Sequence, residues 1–207
     1  MVLLNMNNKE DKIIINMERD VLTGNVLDIG EENSGVIYSL YKHYNEEAAL
    51  EYLSGKEGMK EIENDSYDTC ILLFSLRNVI FRGNKKRFFR EIYSFLKDKG
   101  NIYIWDIDKP FSKTFKAAIK VVLPESKSKI ININERNILK DASKETVLKL
   151  LKDYFEVIDF KCSDNIYYIK AQKKGSNLNE ISVSRNKFKV RTQQFSNKIF
   201  KSLHKRA

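Results

Sequence analysis

A chain of 207 residues with 42% hydrophobic and 31% charged side chains can build one sizeable core under a densely ionised surface. That excludes disorder throughout and leaves no room for two ordinary domains with linkers. The formal net charge of +9 gathers at one end: Ser176 to Ala207 carries eight basic residues against Glu180 alone, so the high isoelectric point describes a tail and not the body.

Val2-Leu3-Leu4 gives way at once to polar sequence, and no run approaches the roughly 18 apolar residues of a membrane span. Neither a secretory leader nor a transmembrane segment is expected, and a cytoplasmic location is. Cys70 and Cys162 both sit in apolar, strand-like runs, which fits buried thiols in a reducing compartment rather than a disulfide framework. His43 and His204 are the only histidines and lie far apart, so no metal centre is expected.

In chain order, Ile13-Ile14-Ile15 pairs as a short strand or packs in a leading helix. Thr23-Gly24-Asn25 reads as a turn, and Val26 to Ile29 as a central strand with an acid at its end. Ser34 is the expected N-cap of a helix carrying Val36, Ile37, Leu40, Tyr41 and Tyr44 at helical spacing and running to about His43. Glu47 to Leu53 suits a second strand or a short helix. Ser54 to Ser66 is charged, with a weak Met59-x-x-Ile62 pattern.

Asp68 to Ser75 is a continuous apolar run that predicts a buried strand beside the first. Asn84 to Lys97 predicts an amphipathic helix with Phe88, Phe89, Ile92, Phe95 and Leu96 inward, closed by Lys99-Gly100. Asn101 to Ile107 predicts a third strand, stopped by Pro110. Phe111 to Leu123 reads as a basic helix, and Ile130 to Ile133 as a short strand or loop. Ser143 opens a helix whose Val147, Leu150, Leu151, Tyr154 and Phe155 share a face. Phe155 to Lys161 and Ile166 to Ala171, joined by Ser163-Asp164-Asn165, predict a closing hairpin. This order argues for an α/β sheet, mostly parallel and ending in an antiparallel pair, with helices on both faces.

Four stretches resemble one family over about residues 20 to 174, the class I S-adenosylmethionine-dependent methyltransferases. Val26-Leu27-Asp28-Ile29-Gly30 is similar to its first motif, and Tyr67-Asp68-Thr69-Cys70-Ile71 to the opening of its fourth strand. Phe89 through Ile104 is similar to its helix, "LKPGG" turn and fifth strand. Tyr154-Phe155-Glu156-Val157 with Ile166-Tyr167-Tyr168-Ile169 is similar to its closing hairpin.

The resemblance implies a Rossmann-like methyltransferase sheet over residues 1–175, with 1–22 as a leading segment and 176–207 as a basic extension. The implied cofactor is S-adenosylmethionine and the implied reaction is methyl transfer to an unidentified acceptor. It implies cofactor contacts from Asp28, Gly30, Glu31, Ser34, Gly35, Ser54, Phe74 and Ser75, with Arg77 and Asn78 near the transfer site. In the family pattern D-x-G-x-G-x-G the second and third glycine positions here hold Glu32 and Ser34, with Gly35 displaced by one.

The region between strands 2 and 4 is shortened. The ribose-binding position then falls near Ser54, with Glu51 or Glu57 as alternatives. Asp106 and Asp108 orient a nucleophile, act as a base, or merely form turns at the fifth strand's end. In the tail, Phe195, Ile199 and Leu203 share one helical face with Lys198, Lys201 and Lys205 elsewhere. Such a basic amphipathic helix can dock on the domain, on an anionic surface or on nucleic acid, or remain a solvated extension. The alternative function is a methyltransferase-like fold without activity that binds or regulates through this tail.

Overall fold

The computed structural model describes residues 13–20, 22, 24–29, 35–45, 63–78 and 82–175. The expected element over Glu47 to Leu53, Ser34 and the basic tail lie outside these residues.

Five strands form the main sheet: β2 (Val26–Asp28), β3 (Tyr67–Leu73), β4 (Leu96–Ile107), β7 (Phe155–Ser163) and β8 (Ile166–Lys173). Their order is β2-β3-β4-β8-β7, with β2, β3 and β4 parallel and β8 antiparallel to both of its neighbours. Successive side chains on a strand point to opposite faces, so Ile71 and Leu73 enter one core while Cys70 and Leu72 enter the other. The closing hairpin turns through Asp164 and Asn165, both left-handed at φ 52° and 56°. Asp and Asn tolerate that conformation, which is why the turn was readable from two residues.

On one face of the sheet α2 (Arg82–Phe95) and α3 (Lys144–Leu151) bury Phe88, Phe89, Ile92, Val147, Leu150 and Leu151. The opposite face carries α1 (Val36–Tyr44) together with a second sheet of β1 (Ile13–Asn16), β5 (Phe115–Val122) and β6 (Ser128–Glu135), ordered β1-β5-β6. Val36, Ile37 and Leu40 of α1 meet Ile119, Val121, Ile131 and Ile133 there, along with Trp105 and Ile107 of β4. Helices therefore lie on both faces as expected, but one face is shared with a sheet.

Three expectations are corrected and one, over Ile130 to Ile133, is narrowed to its strand alternative. Phe111 to Leu123 is not a helix: Phe115, Ala117, Ile119 and Val121 pack inward while Lys116 and Lys120 are exposed, the period-2 alternation of β5. Ile130 to Ile133 belongs to the full strand β6 with Ile131 and Ile133 buried. Tyr154 and Phe155 do not extend α3, which ends at Leu151; Phe155 instead opens β7. Cys162 is exposed, because it lies near the end of an edge strand, whereas Cys70 is buried as expected.

Candidate functional site

Parallel strands that stop at one level leave their carboxyl ends facing a common crevice. Here β2 stops at Asp28, beside Ile71 of β3, and β3 stops at Leu73, beside Trp105 of β4. Pairing continues one step further, Ile29 N donating to Ile71 O at 2.9 Å. The chain then bends at Phe74, which takes the left-handed φ of 56° and donates its N–H to Trp105 O at 2.7 Å.

Ser75 fastens this bend to β2. Its hydroxyl donates to Ile29 O, and it also lies 3.3 Å from Leu73 O. Arg77, buried in the 3-10 turn Leu76–Asn78, donates from Nε to Phe74 O at 3.1 Å. Asp106 braces the same segment from β4: Oδ2 accepts from Leu76 N at 2.8 Å and Oδ1 from Ile107 N at 2.7 Å.

Burial pushes the Asp106 carboxyl from the ordinary 3.8 up to about 6, against the pull of those two N–H donors and of Arg77 and Lys85. Tyr167, its partner across the β4–β8 pair, has a buried hydroxyl with no hydrogen-bond partner among the described residues. Burial and the nearby carboxylates hold that phenol far above its usual range, so it stays neutral.

The structure thus brings together Asp28, Phe74 and Ser75 at the adjoining ends of β2 and β3. Gly35 stands at the far side of the β2–α1 turn, where it occupies the N-cap position with φ 65° and ψ 26°. This replaces the expected Ser34 cap: a left-handed entry favours glycine, which tolerates it at little steric cost. Gly30, Glu31, Glu32, Ser34, Glu51, Ser54 and Glu57 lie outside the described residues.

Asp108 has a structural task, capping α3 by accepting from Lys144 N at 3.1 Å and Lys144 Nζ at 2.5 Å. Asp106 likewise places both oxygens on main-chain N–H groups.

Lys129 of β6 also reaches this junction. Its Nζ donates to Gly35 O at 2.9 Å, and burial pulls its pKa below the usual lysine range. No local signal could have found it, since the contact spans 94 residues and depends on the β5–β6 hairpin. Among the described residues no group of three or more His, Cys, Asp or Glu gathers as a metal site, and no helix is long and apolar enough to cross a membrane.

A sequence model of the ubiE/COQ5 methyltransferase family matches residues 15–163. No curated protein matches the chain. Among solved structures, a SAM-dependent methyltransferase from Methanosarcina mazei is 16% identical, with a TM-score of 0.47 over 75% of this chain and 95% of that one. A second, an S-adenosylmethionine-dependent methyltransferase from Clostridium acetobutylicum, is 13% identical, with a TM-score of 0.44 over 75% and 86%. A third, from Mesorhizobium loti, is 12% identical, with a TM-score of 0.44 over 72% and 90%.

Proposed function

Because the chain belongs to the ubiE/COQ5 methyltransferase family, we propose that it transfers the methyl group of S-adenosylmethionine to an acceptor nucleophile. The observation that carries this reading is the junction at the ends of β2 and β3, with Asp28 and Ser75 on one side and the left-handed Gly35 on the other.

A Cβ at position 35 would stand 3.2 Å from Lys129 Nζ, so glycine at this left-handed position leaves room for the lysine head that closes on its carbonyl. Asp28, half-buried at the strand end, supplies a carboxylate for the ammonium of the cofactor's amino-acid part. Bound there, S-adenosylmethionine would supply a methyl group activated by its sulfonium, with a neutral thioether as the leaving group.

Such a reaction asks chiefly for alignment, and holding the two partners in line removes much of the barrier. The protein's share is accordingly positional. Ser75 pins the β3 bend to Ile29, Asp106 pins Leu76, and Arg77 closes the turn onto Phe74. These contacts tie the main chain from Phe74 to Leu76 to β2 and β4 at the rim of the crevice.

Asp28→Ala tests the assignment. Losing one charge-assisted hydrogen bond, about 1.5–3 kcal/mol, predicts S-adenosylmethionine binding weaker by roughly 10- to 150-fold in a calorimetric titration. Affinity within about twofold of the wild type would remove Asp28 from the site.

A further inference from the structure

We infer that residues 110–114 and 136–139, the loops that leave β4 and β6, dock this protein on an anionic lipid bilayer. Phe111, Ile138 and Leu139 enter the headgroup layer there, and Lys113, Lys116 and Arg136 meet lipid phosphates.

The patch is built, not incidental. Phe111 is 59% exposed, Ile138 50% and Leu139 63%, and they stand on adjoining loops, joined where Ser112 N donates to Ile138 O at 2.8 Å. One exposed apolar side chain is ordinary, whereas three on two joined loops mark a contact surface. Both loops are fixed from beneath by Lys109, which is only 1% exposed. Its ammonium donates to Lys113 O and Asn137 O, each at 3.0 Å, and to Lys140 O, so all three of its N–H donors are spent on the main chain. Burying an ammonium is costly unless it is fully hydrogen-bonded, and here it ties together the loops that carry the apolar tips.

Charge selects the partner. Within residues 108–116 and 134–141 the exposed ionisable side chains are Lys113, Lys116 and Arg136. The acids of the same stretches turn to partners within the fold: Asp108 to Lys144, Glu135 to Lys140 and Asn137 N, Asp141 to Ser143 N and Thr146. An apolar centre with a cationic rim matches a bilayer that carries anionic lipids, where apolar side chains enter the interface and each cation gains from the negative surface. Nucleic acid would satisfy the cations but leave Ile138 and Leu139 in water. The loop after β4 leaves the sheet at the carboxyl ends of the parallel strands, so the docked edge is the one onto which the crevice opens.

The test is sedimentation of the full chain with extruded vesicles of phosphatidylcholine and phosphatidylglycerol in equal parts, and of phosphatidylcholine alone. The wild type should bind the mixed vesicles, and the neutral ones at least about tenfold more weakly. The double variant Phe111→Ser/Leu139→Ser keeps every charge and the basic tail, yet should bind the mixed vesicles at least about tenfold more weakly than the wild type. Ile130→Ser, at a side chain equally exposed at 59% but on β6 outside the loops, should bind as the wild type does. Phe111→Trp should shift its emission to the blue on the mixed vesicles, since the native Trp105 is already buried. A wild type that stays in solution, a double variant within about twofold of it, an Ile130→Ser loss as large as the double variant's, or unshifted emission from Phe111→Trp would each overturn the inference.

Discussion

Replacing Phe89 with alanine is expected to destabilise the protein by about 3–5 kcal/mol, enough to unfold many domains of this size or leave them marginal. Phe89 is fully buried and lies on α2, where Phe88, Phe89 and Ile92 face Cys70 and Leu72 of β3 and Ile102 and Ile104 of β4. Those strands are locked side by side by parallel pairing from Thr69↔Asn101 to Leu73↔Trp105. The sheet therefore cannot close on the space a lost ring leaves, and the cavity cost adds to the lost burial.

Ile130→Ala on the outer face of β6 is the matched control, because that side chain is 59% exposed and its loss should cost within about 0.5 kcal/mol. Urea unfolding of both variants checks the contrast. A cost below about 1 kcal/mol for Phe89→Ala would show that the helix-covered face is not the packed core described above.

The second large effect is on the pH dependence of stability. The Asp106 carboxyl rises from the ordinary 3.8 to about 6 on folding. Below 3.8 the group is protonated in both states and folding loses nothing by it. Between those values the folded chain keeps a proton that the unfolded chain releases, so stability falls as pH rises. Above about 6 the loss is complete. At about 1.4 kcal/mol per pKa unit the loss is roughly 3 kcal/mol.

Other carboxylates move oppositely, Asp68 and Glu135 among them, each lowered and held there against desolvation by lysine hydrogen bonds. The clean readout is therefore the difference between the wild type and Asp106→Asn. Asparagine keeps the shape and one acceptor while removing the titration, so its stability relative to the wild type should improve by roughly 3 kcal/mol on passing from pH 4 or below to pH 7. A difference that stays flat with pH would mean that Asp106 ionises in the folded protein as readily as in water.

What could be read without the structure was local. The β3 run is apolar on both faces and announces a central strand by itself, and Asp164-Asn165 announces the hairpin turn because both residues accept positive φ. The Phe111 to Leu123 segment misleads for an equally local reason. Phe115 and Ile119 are four apart and suggest a helical face, but Ala117 and Val121 complete a two-residue period that only pairing with β1 and β6 reveals.

Site residues divide the same way. Asp28, Phe74 and Ser75 could be placed because each ends a readable strand. The bracing roles of Asp106 and Asp108 appear only once Leu76 and Lys144 are seen beside them. Lys129 requires the whole second sheet to be folded before it meets Gly35.

The most direct test of the central claim is calorimetric titration of the full chain with S-adenosylmethionine. A saturable one-site isotherm is the predicted result, with the β2–α1 junction as its seat. No detectable heat of binding at millimolar cofactor would contradict it and would leave a methyltransferase fold without its cofactor.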